Sequence, residues 1–287
     1  MKTTKKLLVI YGPTAVGKTS LAIQLALQHK TEIISADSRQ FFKEMKIGTA
    51  VPEQEELDVV NHHFIQHKSI HDKYNVGIFE KEAISKIEML FKHHNTLIMV
   101  GGSGLYTDAV CKGLDTFPEI DEILKKQLRL KFESLGLKWL QDEVKKNDPV
   151  FYTNTDINNH QRLIRCLEVC KQSGKTFSSF KNKQNKKRPF EIEYISIKMD
   201  REKLYNRIND RVDKMMEKGL LQEAKSLMKY QHLNALKSVG YSELFKYLNK
   251  DISLEKAIDL IKQNTRRYAK RQITWTKRYP IRWIENQ

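Results

Sequence analysis

The sequence predicts an α/β fold: a parallel sheet flanked by helices, built around a phosphate-binding loop and interrupted by a helical insertion. Three observations predict it. Residues 6–19 read KLLVIYGPTAVGKT, an apolar run feeding a glycine-bracketed loop. Two more apolar runs end at Asp37 and at Gly101-Gly102-Ser103, with helical periodicity between them. From 115 to 185 the pattern is helical, and a strand-like run returns only at 193–199.

The first element carries the strongest signal. Leu7, Leu8, Val9 and Ile10 have no polar alternation, as expected of a strand buried on both faces. Gly12 and Gly17 bracket a tight loop that brings its backbone close to a ligand. A helix starts at Lys18, with Leu21, Ala22, Leu25 and Ala26 on its apolar stripe. The loop N–H groups and the helix N-terminus form an anion nest. Its candidate residues are Gly12, Pro13, Thr14, Ala15, Val16, Gly17, Lys18 and Thr19. Lys18 can reach the outer phosphate oxygens, and the Thr19 hydroxyl can hold Mg²⁺. The arrangement is P-loop nucleoside-triphosphate-hydrolase-like.

The remaining elements follow in order. Residues 31–36 read as a strand ending at Asp37, 76–93 as a helix, 96–100 as a strand and 103–113 as a helix. This alternation implies a parallel sheet. Residues 121–146 read as helical with a break near Gly136, and Asp156 is the expected cap of a helix through Cys170. The stretch 173–190 is polar and basic and reads as a mobile connector. After the strand at 193–199, helices are expected at 201–218, 220–230, 239–248 and 254–278. The expected domains are an α/β core, 1–114 and 186–287, and a helical insertion, 115–185.

Composition excludes some classes and favours another. With 287 residues and 40% apolar content, the chain can bury a core, and no apolar run approaches the length of a membrane span. No signal segment is recognisable, so a cytoplasmic protein is expected. Three cysteines (111, 166 and 170) do not make a disulfide framework. Cys166 and Cys170 lack a ligand-spaced partner pair and read as small core residues. The net charge of +16 is unevenly placed. Residues 1–115 carry 14 basic and 13 acidic residues, whereas 116–287 carry 37 and 22. Between Lys262 and Arg282 there are eight basic residues and no acid, interleaved with Tyr268, Trp275 and Tyr279. Charge for a phosphate backbone and rings for unstacked bases point to nucleic acid; a solvated basic face is the plainer alternative.

The phosphate loop alone does not choose a reaction. Guanine recognition needs N-K-x-D, which neither Asn182-Lys183 nor Asn249-Lys250 completes. The strand TLIMV ends in Gly-Gly-Ser, not in an acid. The acid that ends a strand is Asp37. Carboxyl ends of parallel strands line one crevice, so Asp37 and Ser103 should stand beside the loop. A helix-capping role for Asp37 is the alternative.

Taken together, the segments GPTAVGKTSLA (12–22), DSRQ (37–40), IGTAVP (47–52), NHH (61–63), GGSGLY (101–106), NNHQRLIRCLEV (158–169), RINDRVDKMMEKGLLQE (207–223), SVGYSEL (238–244) and RRYAKRQITW (266–275) closely resemble the bacterial tRNA dimethylallyltransferases. The resemblance runs almost the whole chain. It implies transfer of a dimethylallyl group from dimethylallyl diphosphate to N6 of the adenosine just 3′ of the anticodon (position 37), in tRNAs reading codons that begin with U. Diphosphate would be released. The partners implied are the tRNA anticodon stem-loop and the diphosphate donor, with Mg²⁺ as cofactor; a monomer without membrane attachment is expected.

The resemblance also assigns roles. Lys18, the loop amides around Thr14 to Gly17, Thr19 with Mg²⁺, and Arg211 would hold the diphosphate. Ser103, where the family usually has Thr, would hydrogen-bond the departing bridging oxygen. Asp37 would take the proton from N6 of a flipped-out adenosine. Contacts to tRNA would come from Asp37, Ser38, Arg39 and Gln40, from Lys125, from Gln161, Arg162, Leu163, Ile164 and Arg165, and from Lys270 and Arg271. Trp275 reads as core, and His62-His63 as structural. Val51 stands where the family usually has a basic residue. A small-molecule kinase using ATP, and a tRNA-binding protein without catalysis, are the competing readings. The basic second part has no purpose in the first, and intact Lys18, Thr19 and Asp37 argue against the second.

Overall fold

The apolar runs become the centre of a six-stranded, all-parallel sheet in the computed structural model, which describes residues 4–181 and 186–285. The strands are β1 (Lys6–Tyr11), β2 (Ile33–Ser35), β3 (His62–His63), β4 (Thr96–Gly101), β5 (Glu191–Lys198) and β6 (Ile281–Glu285). Their order across the sheet is β3-β2-β4-β1-β5-β6. β1 pairs on both sides, Val9 opposite Met99 and Tyr194, and this explains its unbroken apolar sequence. Leu7, Ile10, Ile33 and Ile98 are fully buried, each contributing about 1.5–3 kcal/mol by burial. The two edge strands escape the sequence pattern. β3 is two histidines, and β6 follows Pro280 with its residues half-exposed or exposed.

The helices are α1 (Lys18–His29), α2 (Gln54–Val59), α3 (Val76–Leu90), α4 (Gly104–Lys112), α5 (Glu122–Asn147), α6 (Pro149–Thr153), α7 (His160–Ser173), α8 (Arg201–Glu217), α9 (Leu220–Leu227), α10 (Tyr241–Leu248) and α11 (Leu254–Thr276). The chain divides into two compact units, Met1–Lys112 with Lys187–Gln287, and Gly113–Lys186. Among the described residues no helix is long and apolar enough to cross a membrane.

The unit Gly113–Lys186 has its own core of Leu128, Leu140, Val144, Phe151, Leu163, Cys166 and Leu167. α5 breaks at Gly136, where φ is 73°. The helix expected to be capped by Asp156 is instead capped by Asn159, whose side chain accepts from the Arg162 N–H. Asp156 turns back to accept from the Asn158 N–H. The expected connector also proves structured in part. Phe177–Phe180 forms a 3₁₀ turn, and Phe177 packs into this core. Residues 182–185 of that connector lie outside the described residues. The buried Asp148 carboxylate accepts from the N–H of Phe151 and from the N–H and hydroxyl of Ser178. Those three donors engage both of its oxygens, and the neighbouring Cys166 and Cys170 are core thiols 4.0 Å apart.

Candidate active site

The carboxyl ends of β1, β2 and β4 open into a cavity of about 600 Å³. Three strand-to-helix junctions meet there, as parallel strands dictate. The P-loop comes from the β1–α1 junction. Asp37 follows β2, and Gly101 closes β4. α8 brings Arg207, Arg211 and Lys214 to the lining, and α11 brings Tyr268 and Gln272.

The charges are close and shielded from water. Lys18 Nζ donates to the Pro13 carbonyl at 2.8 Å. Burial pushes its ammonium down to about 8, Asp37 opposes that shift and Arg211 adds to it. Arg211 donates to the Thr14 hydroxyl at 3.4 Å. Burial also lowers the Arg211 guanidinium, against the pull of Asp37 and Glu56. Two cations thus face one carboxylate over a nest of amides. The first turn of α1 has N–H groups with no helical acceptor, which adds to the positive field.

The strand ends are tied to each other. Ser103 Oγ accepts from the Ser38 N–H at 3.0 Å and lies 3.0 Å from the Ser38 hydroxyl. Asp37 Oδ1 accepts from the Arg39 N–H, forming a side-chain turn that fixes the carboxylate. Gly102 leaves no spare room, because a Cβ there would stand 2.3 Å from Gln272 Nε2 and force that side chain to shift.

Two residues of α11 bond the site's main chain: Gln272, which the sequence does not single out, and Tyr268, which it places only among rings interleaved with basic residues. Gln272 is buried, accepts from the Thr14 N–H at 2.8 Å and donates to the Gly102 carbonyl at 2.9 Å. Tyr268 donates to the same carbonyl at 3.1 Å, and its hydroxyl is raised to about 12 by burial and by Asp37. Their i, i+4 spacing puts both on one face of α11, the signal that the sequence offers. Arg207, one turn before Arg211, is a third addition.

Several residues expected at the site or at tRNA are engaged by neighbouring groups, and others are exposed. The Thr14 N–H is committed to Gln272 and so leaves the nest. Val16 is buried with Ile197 and Ile208, its side chain a core residue. Gln40 spends its amide donors on the carbonyls of Thr49 and Ala50. Arg39 donates to the carbonyls of Asn234 and Ala235. In the other unit, Leu163 is fully buried and belongs to the core. Arg165 pairs with Glu168 at 3.2 Å and lies over the Phe117 ring. Gln161 and Arg162 are exposed, Ile164 is half-buried, and Lys125 pairs with Glu122. Lys270 and Arg271 are exposed on α11, with Arg271 over the Tyr268 ring. Trp275 packs against the core and donates to the Tyr279 hydroxyl. His63 pairs with Glu32, and His62 binds the Val60 carbonyl.

A phosphate loop facing a strand-end carboxylate and a basic helix is common to more than one chemistry, and comparison with known proteins decides the family. A family model described as IPP transferase matches residues 40–279. The chain belongs to the IPP transferase family. A tRNA dimethylallyltransferase of Christiangramia forsetii is 52% identical over 280 residues, which is 97% of this chain and 93% of the relative. The full-length tRNA isopentenylpyrophosphate transferase of Bacillus halodurans has a TM-score of 0.72 at 36% identity, covering 98% of this chain and 90% of that one. A eukaryotic dimethylallyltransferase acting on tRNA gives a TM-score of 0.83 at 29% identity, covering 98% and 74%. The family match begins at Gln40, just after Asp37, Ser38 and Arg39. The identity to the Christiangramia relative extends over nearly the whole chain.

Proposed function

We propose that this IPP transferase moves a dimethylallyl group from dimethylallyl diphosphate to N6 of the adenosine 3′-adjacent to the anticodon. The observation that carries it is the convergence of Lys18 and Arg211 on the cavity that also holds Asp37. An allylic C–O bond ionises readily, and the obstacle is negative charge growing on the leaving diphosphate. Preorganised cations and amides in a dry site stabilise that charge. Lys18, Arg211 and the amides of Ala15 to Thr19 hold the diphosphate. Ser103, kept in place by Ser38, donates to the bridging oxygen. Thr19 offers a hydroxyl oxygen at the cavity wall, a hard donor that suits Mg²⁺, which keeps most of its waters. When bound, the ion adds Lewis-acid neutralisation of the leaving group.

The adenine amine becomes acidic only as its C–N bond forms. Asp37 accepts that proton, so hydrogen-bond reach to N6 is its requirement. The target base must leave the stacked loop to enter the crevice. Gln161 and Arg162, with Lys270 and Arg271, contact tRNA, and the setting is cytoplasmic, where tRNA is found. The chain acts as a monomer.

Purified protein incubated with unmodified tRNA, Mg²⁺ and dimethylallyl diphosphate tests the reading by nucleoside mass spectrometry. A donor-dependent dimethylallyl increment on adenosine is expected. Absence of the increment, with ATP consumed in a parallel control, would contradict it.

A further inference from the structure

Much of the apolar lining of the cavity comes from one short segment. Ile47, Ala50, Val51 and Pro52 contribute together, beside the separate apolar residues Ile65, Val100 and Met215 and a largely polar and charged remainder. The segment is held from two sides. The Glu223 carboxylate of α9 accepts from the N–H groups of Lys46 (3.0 Å), Ile47 (2.8 Å) and Gly48 (2.9 Å), and from the Tyr241 hydroxyl (2.6 Å). Four donors saturate one carboxylate and fix three successive peptide units. Tyr241 is fully buried, and its ring lies so near Gly48 that a Cβ there would stand 2.6 Å away. On the other side Gln40 donates to the carbonyls of Thr49 and Ala50 at 3.2 and 2.8 Å. At the second clamp Ala50 has φ 49°, a left-handed conformation that a non-glycine residue keeps only when its neighbours enforce it.

A loop on the surface of a cavity has no need of five side-chain hydrogen bonds to its main chain unless its position matters. The hydrogen bonds hold the main chain, while the apolar side chains face the ligand space. We propose that Glu223 is a positioning residue for donor choice. Through Lys46 to Gly48 it holds the 47–52 wall in register. The donor hydrocarbon seats against that wall, and the wall limits the chain length accepted. The inference rests on the donor reading given above. A close-packed wall rejects extra carbons because it cannot yield, whereas a loosened one can.

Glu223→Gln tests it. The amide matches the carboxylate in shape but replaces an acceptor oxygen with an NH₂ facing N–H and O–H donors. The measurement is kcat/KM for dimethylallyl diphosphate and for ten-carbon geranyl diphosphate, on the same tRNA, with the KM for tRNA as a third readout. The five-carbon to ten-carbon preference is expected to fall by about tenfold, the scale on which apolar pockets discriminate, with the KM for tRNA unmoved. An unchanged preference, including equal loss with both donors, overturns the role of Glu223. Should Glu223→Gln fail to fold, Tyr241→Phe keeps the ring beneath Gly48 and removes one of the four donors. A smaller shift in the same direction is expected there, and an unmoved preference overturns the proposal. Wild-type protein that transfers neither donor would overturn the donor reading itself, a result distinct from an active wild type with an unmoved ratio in the variants.

Discussion

Gln272 Oε1 accepts the Thr14 N–H at 2.8 Å across 258 residues of sequence, while its Nε2 binds the Gly102 carbonyl at 2.9 Å. One buried amide side chain thereby joins the phosphate loop to the end of β4. The same helix carries Lys270 and Arg271 on its exposed side. Gln272→Met keeps the volume and removes both bonds. It should destabilise the fold by about 1–3 kcal/mol, because the Thr14 N–H is left unpaired and the Gly102 carbonyl keeps only Tyr268. It should also raise the donor KM more than the KM for tRNA. Thermal unfolding with steady-state kinetics on both substrates checks this; equal rises in the two KM values would contradict it.

Gly102→Ala approaches the same contact from the other side. The added Cβ would meet Gln272 Nε2 at 2.3 Å, and Gln272 is held at both ends. Overpacking of this kind costs about 1–3 kcal/mol. In the double variant with Gln272→Ala the clash is gone, and the two penalties should add to less than their sum. A double-mutant cycle by denaturant unfolding reads this coupling directly.

The pH dependence of donor binding follows from Lys18. Its ammonium in the donor-free protein is lowered to about 8, chiefly by burial. Folding therefore works against the charged form below that value. The penalty fades as pH rises from about 8 toward the ordinary lysine value of about 10.4, above which this group no longer opposes folding. Diphosphate needs the charged form. Donor affinity should accordingly be flat below pH 8 and weaken above it by up to about tenfold per unit. Calorimetric titration with dimethylallyl diphosphate between pH 7 and 9.5 checks the trend, and Lys18→Arg should flatten it. A level profile through pH 9.5 in the unaltered protein would contradict the assignment.

The legible and illegible parts of the molecule differ in a physical way. Leu7 to Thr19 announced strand, loop and helix because every cue there is local: an apolar run, two glycines and a helical stripe. Asp37 and Ser103 could be placed because parallel strands bring their carboxyl ends to one edge. Gln272 could not be placed, since its worth depends on where the far end of α11 comes to rest. Arg39 and Gln40 resemble ligand-reading residues in sequence, yet they spend their donors on main-chain carbonyls of neighbouring loops. Leu163 lies between Arg162 and Arg165, but helical periodicity turns it inward. The edge strands β3 and β6 carried no strand pattern at all, because little of them is buried.

The exposed and the paired arginines of α7 should behave differently. Arg162 is exposed, whereas Arg165 is engaged by Glu168 and Phe117. Arg162→Ala should lower the salt slope of tRNA binding by about one phosphate contact and leave stability unchanged. Arg165→Ala should lower stability as well. Filter binding over a salt series and thermal unfolding separate the two, and identical behaviour of both variants would contradict this division.

The central claim is that Asp37 serves as the base in a cavity whose cations hold the departing diphosphate. Single-turnover transfer of labelled dimethylallyl to an anticodon stem-loop, wild type against Asp37→Ala, tests it most directly. The account predicts a loss of about 10²- to 10⁴-fold in the transfer rate, with stem-loop affinity essentially kept. Transfer at the wild-type rate by Asp37→Ala would contradict it.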